Sequence, residues 1–132
     1  KRTVLRPVKT GGDDLVEKSA RMIDGGNCRG AYEAIKPIVK SPDCSNADML
    51  YNAGVAVECM AWKGALKQET QARYLQEAEK YYRKAASLAP DDGDMQRASR
   101  EVSYEVEAFF VSSGTQNDTQ KERDRYKAPT GY

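Results

Sequence analysis

From Asp14 to Phe110 the apolar residues recur about every three or four positions, the period of a helix with one buried face. Leu15, Ser19, Met22 and Ile23 make a first small or apolar face, closed by the turn signal DGGN at 24–27. Ala31, Ala34, Ile35 and Ile38 make a second, and Pro37 inside it is expected to kink or shorten the helix. After KSPDCSNAD at 40–48, Leu50, Gly54, Val57 and Ala61 line up as a third. Leu75, Ala78, Tyr82, Ala85 and Leu88 form a fourth, ended by APDDGD at 89–94, and Met95, Ala98, Val102, Val106 and Phe109 form a fifth. No sustained apolar–polar alternation supports a sheet. The pattern predicts an all-α fold of five helices in order, joined mostly by short turns that make neighbours antiparallel.

LYNAGVAVE at 50–58 has two readings. Val55 and Val57 among small residues suit a strand. A helix there carries Gly54 in its middle, at a cost of about 1 kcal/mol relative to alanine.

The ends differ from the middle. Residues 112–132 contain no Leu, Ile, Val, Met or Phe, too little apolar surface to offset the entropy of ordering. They are expected to form a flexible tail or a linker. Residues 1–13 hold a brief apolar run, Val4 to Val8, broken by Pro7: an extended arm, or the last strand of an upstream domain. The helical domain is expected to occupy 14–111. The chain opens at Lys1 with neither methionine nor an apolar signal segment, as a mature product or an excised segment would.

Composition narrows the chemistry. At 132 residues the chain has enough length for one modest core. Its 21 basic and 20 acidic residues are intermixed, which argues against a nucleic-acid surface. No apolar run is long enough to insert into a membrane. Histidine is absent, which removes Ser-His and Cys-His nucleophile pairs and most catalytic zinc sites. Cys28, Cys44 and Cys59 are too few for a four-thiolate zinc site, and their odd number bars complete intrachain pairing. One disulfide with a leftover thiol is open, but the lack of a closely spaced pair favours three free thiols. Cys28 and Cys59 then serve as small buried hydrophobes.

Two helix pairs look like copies of one unit. MLYNAGVAVE at 49–58 resembles the first helix of a tetratricopeptide repeat (TPR), commonly close to AWYNLGNAYY. YLQEAEKYYRKAASLAPDD at 74–92 resembles the second, commonly YEEAIEYYQKALELDPNN, with Ala78, Tyr82, Ala85 and Pro90 at that family's positions and spacing. NCRGAYEAIKPIVKSPD at 27–43 is a fainter copy, carrying Ala31 and a Pro42 one residue early. In the helix before it, Lys18 and Ser19 stand where leucine and glycine are usual. The resemblance implies a right-handed superhelix of antiparallel helix pairs, about two repeats plus a C-terminal capping helix. It also implies that Gly54 and Ala78 meet where two helices cross most closely. The interval between them is about twice the family's, so both helices are expected to run on by about six residues, ~9 Å at the helical rise. Trp62 then lies near the end of the hairpin, either anchoring a partner or packing on Leu66 and Tyr74.

For function the resemblance implies a non-catalytic scaffold that binds a protein or peptide on the concave side formed by the first helices. The candidates there are Val16, Ala20 and Ile23 from the first helix, and Tyr51, Asn52, Val55 and Glu58 from the third, with Trp62 on the hairpin. Asn52 is placed to hydrogen-bond a peptide backbone; otherwise it bonds within a turn or to solvent. The family's clamp for chaperone C-terminal carboxylates is matched only by Asn52. Ala20 fills the other asparagine slot, and Asp94 and Ala98 fill the cationic slots, so the clamp fails on charge.

Catalytic residues, metal and cofactor are not expected. Glu58 and Glu77 are placed to approach each other across the hairpin, but paired carboxylates act only in a pocket that perturbs them, and the solvated reading is simpler. Adjacent Phe109 and Phe110 point about 100° apart on a helix, so one is expected to meet the N-terminal arm or a second copy. A second functional reading rests on RTVLRPVKTGG at 2–12 leading into a short repeat array. It resembles the repeat-bearing tails of some outer-membrane lipoproteins, which implies a structural appendage of a bacterial envelope protein at the periplasm or outer-membrane periphery.

Overall fold

The computed structural model describes residues 6–63 and 66–112, and within them five helices follow in the predicted order. They are α1 (Asp14–Asp24), α2 (Cys28–Val39), α3 (Ala47–Trp62), α4 (Gln68–Leu88) and α5 (Gly93–Ser112). The described residues contain no strand, and LYNAGVAVE lies wholly within α3. Short polar side chains start four of the helices by accepting orphan backbone N–H groups. Asp13 accepts from Leu15 and Val16, Asn27 from Gly30, Asn46 from Met49, and Asp92 from Met95. Pro37 lies inside α2, which continues past it to Val39. Of the expected tail, only Ser112 is described, and it closes α5; residues 113–132 lie outside the described residues.

Side-chain contacts define two layers. Ala61 accepts from Gln71, and Gly54 lies against Tyr82, so α3 and α4 are antiparallel. Gln96 reaches the Ala86 carbonyl and Ser103 reaches Glu79, which makes α4 and α5 antiparallel as well. Tyr32 meets Glu77 and Tyr81, and Lys84 reaches the Pro42 carbonyl, so α2 and α4 run side by side in one direction. Asn52 meets Ser19 between α3 and α1. Thus α1, α3 and α5 form one layer and α2 and α4 the other.

Helix α3 is the centre of the core. Every residue from Met49 to Glu58 is buried, because α1, α2 and α4 pack against it from different sides. A helix buried all round has no single apolar stripe, which is why its sequence also suits a strand. Helices α3 and α4 run 16 and 21 residues against 11 and 12 for the first pair, as the longer Gly54–Ala78 interval predicts. Trp62, at the end of α3, is half-buried against the core. Phe109 and Phe110 also pack partly on the core, with ring centroids 6.5 Å apart.

Three expectations are corrected and one is sharpened. In α1 the fully buried residues are Val16, Ser19 and Ala20, while Leu15, Met22 and Ile23 are half-buried. The stripe is turned by one residue because α1 packs on both α2 and α3. Ile38 and Leu88 sit at the exposed ends of their faces. Cys28 and Cys59 form a disulfide, their Cα atoms 6.3 Å apart, and Cys44 is the free thiol. The bridge joins the first residue of α2 to the last turns of α3, a proximity created by packing and not by spacing.

The sharpened one concerns Gly54. The group pressed most closely on it is the Tyr82 ring, 2.6 Å from where a Gly54 Cβ would stand. That ring has no room to retreat, being fully buried with its hydroxyl 2.7 Å from Glu58. Gly54→Ala gains about 1 kcal/mol in helix propensity but overpacks the core, which typically costs about 1–3 kcal/mol. With no room for the ring, the upper end applies. The expected result is a net loss near 2 kcal/mol, and a melting temperature lower by roughly 10 °C. An unchanged or higher melting temperature would contradict the close approach.

Candidate functional site

The open side of the α1–α3–α5 layer is occupied by the chain's own arm, residues 6–12, which enters α1 through a turn at Gly12 (φ 49°). A positive φ of this size suits glycine, which has no Cβ to clash. The arm carries no regular structure, so its backbone polar groups need partners elsewhere. Asn52 supplies two of them. Its Oδ1 accepts from the Lys9 N–H at 2.9 Å, and its Nδ2 donates to the Lys9 carbonyl at 2.9 Å. The same Nδ2 lies 3.3 Å from the Val16 carbonyl and 3.1 Å from Ser19 Oγ, which fixes the amide's orientation. Tyr51 donates its hydroxyl to the Pro7 carbonyl at 2.7 Å.

Side chains of the arm meet acids. Arg6 donates through Nε to Glu58 at 2.7 Å, through Nη2 to its other oxygen at 3.2 Å, and through Nη1 to Glu101 at 2.8 Å. Its guanidinium lies over the Tyr82 ring, 5.6 Å from the centroid. Lys9 Nζ lies 3.0 Å from both Asp92 and Asp94, and 5.5 Å from the Tyr51 ring centroid. Val8, between them, packs partly on the core. The arm therefore ties α5 to α3 across the groove.

The electrostatics follow from this pairing. Burial alone would make Arg6 easier to deprotonate, but Glu58 and then Glu101 offset it and hold the guanidinium above its ordinary range. Lys9 is likewise raised, its partial burial outweighed by Asp94 and Asp92. Burial acts to raise Asp92, yet the Met95 N–H and Lys9 together hold it below the usual carboxylate value. Burial, and then the Glu58 charge, push Tyr82 well above the usual phenol range.

A second polar cluster lies on the α2–α4 layer. Tyr32 donates to Glu77 and shares a 2.7 Å hydrogen bond with Tyr81; Lys40 lies 3.5 Å from Glu77. Burial pushes Tyr81 up to about 12. Glu77 and Tyr81 line an open cleft of about 510 Å³ with Lys40, Arg73, Lys80 and Lys84. Glu58 and Glu77 thus serve different layers and do not form a pair. Glu58 is fully buried on Arg6 and Tyr82, so its solvated reading is corrected too.

Of the residues expected in the groove, Tyr51, Asn52 and Glu58 come together beneath the arm. Val16 contributes only its carbonyl. Ala20 and Val55 are buried in the core, Ile23 is half-buried, and Trp62 lies at the far end of α3. The sequence pattern does not mark Arg6, Lys9, Asp92 or Glu101, and it marks Asp94 only as an acid in a cationic slot. One signal is present in the sequence: an acid, Asp94, in a slot where the family carries a cation, with Arg6 and Lys9 in the arm.

Among the described residues no helix is long and apolar enough to cross a membrane. Comparison with protein-family models, curated proteins and solved structures gives no match.

Proposed function

We propose that this chain is a non-catalytic interaction module of tetratricopeptide type, which holds a segment of a protein partner along the groove of α1, α3 and α5. The observation that carries the reading is Asn52, whose amide bonds both backbone groups of Lys9. Contacts to backbone hold a polypeptide whatever its side chains. The two helix layers and the repeat-like sequence of α3 and α4 support the same reading. Selection of a displayed library of random peptides tests it, using a chain whose arm is released by Arg6→Glu and Lys9→Glu. Peptides should be enriched, and adding Asn52→Ala to a still-helical chain should abolish their capture. No enrichment, or capture indifferent to Asn52, would remove the groove from consideration.

The second reading, a structural appendage of a larger envelope protein, is favoured by the Cys28–Cys59 bridge. Disulfides persist mainly in oxidising compartments such as the periplasm. A lipoprotein signal and an upstream sheet domain in the full-length gene would favour it over the first.

A further inference from the structure

Resting on the groove reading, we propose that the groove selects a partner segment in which an arginine precedes a lysine by three residues, and that the arm is its resident competitor. Four carboxylates converge on the groove, Glu58 from α3, Asp92 just before α5, and Asp94 and Glu101 from α5, where they meet two cations of the arm. The two acidic positions differ in kind. Glu58 is fully buried and receives two N–H groups of one guanidinium, a planar fork that lysine cannot supply. Asp92 and Asp94 are partly exposed and converge on one point, which suits a compact ammonium. Between these positions, Tyr51 and Asn52 bind the backbone at Pro7 and Lys9 and so fix the register. A cation shifted by one residue would miss its acid.

The arm presents this pattern from within the chain as Arg6 and Lys9. Tethering through Gly11 and Gly12 gives a short segment an effective concentration of order millimolar. A partner with the same chemistry therefore binds weakly until the arm leaves.

The probe is a fluorescent peptide of residues 1–12, KRTVLRPVKTGG, followed by anisotropy. It should bind the full chain carrying Arg6→Glu and Lys9→Glu at least ~10-fold more tightly than wild type, since the variant lacks a competing arm. The same peptide with Arg6→Lys should bind that variant ~10-fold more weakly, and the peptide with both charges reversed should not bind. Equal affinity for the two chains, no binding by a variant with wild-type circular dichroism, or binding by the reversed peptide would overturn the proposal. If the variant does not fold, hydrogen exchange on wild type replaces it. Excess peptide should then speed exchange of the chain's own Lys9 N–H, and no change at saturation would overturn the proposal. A display selection that enriches segments without the basic pair leaves groove binding standing and overturns this selectivity.

Discussion

Reducing the Cys28–Cys59 bridge is expected to lower the stability of the folded chain by about 3–4 kcal/mol. The bridge spans 31 residues, a loop long enough for its closure to restrict the unfolded chain substantially. It also fixes the start of α2 against the end of α3, on which the rest of the core is built. In a domain of this size each kcal/mol corresponds to roughly 4–8 °C, so the melting temperature should fall by roughly 12–30 °C. Thermal melts with and without reductant measure this, and the paired substitution Cys28→Ser and Cys59→Ser should reproduce it without reductant. Cys44→Ser is the control, since Cys44 is outside the bridge and should leave the reductant effect intact. A melting temperature unmoved by reductant, with thiol titration proving reduction, would mean that packing alone holds α2 to α3.

The helices were legible because their determinants are local: capping residues, turn signals and apolar periodicity all lie within a few positions of what they specify. What failed depends on contacts distant in sequence. Arg6 meets Glu101 across 95 positions, and Lys9 meets Asn52 across 43. Cys28 and Cys59 show no spacing that announces a bridge, since packing of α2 on α3 brings them together. For Asn52 the sequence leaves a backbone contact and a turn or solvent contact both open, and nothing local shows that its partner is the chain's own Lys9. Asp94, taken alone, marks only a missing cation. That an acid there suits a basic group is visible only in the fold, which brings Lys9 to it across 85 positions. In α1 the one-residue error arose because a helix touching two neighbours buries a broader stripe than period alone resolves.

Glu58→Ala should be the most damaging single change in the groove, costing about 3–5 kcal/mol. The Glu58 carboxylate accepts from Arg6 and, at 2.7 Å, from the Tyr82 hydroxyl, and it has no exposed surface. Removing it leaves the Tyr82 hydroxyl buried without an acceptor, a loss of about 1–3 kcal/mol in itself. It also takes from Arg6, whose side chain is only 8% exposed, the nearer of its two carboxylates. Arg6→Ala should cost less, about 1–2 kcal/mol, because the two partners are held differently. Arg6 lies on an arm at the edge of the groove, so its loss admits water to Glu58, which keeps the Tyr82 donor. Denaturant melts of the two single variants and the double variant measure the difference. The double variant should lie close to Glu58→Ala, since Arg6 has little left to lose once its main acceptor is gone. Equal losses from the two single changes, or a loss below about 1 kcal/mol for Glu58→Ala, would show that the buried carboxylate is not what seats the arm. The predicted asymmetry has a structural cause. Tyr82 presses on Gly54 and donates to Glu58, so the groove's deepest acid is held by the same ring that packs the centre of the core. Losing Arg6 removes one tie of the arm, whereas losing Glu58 disturbs the ring that packs the centre of the core.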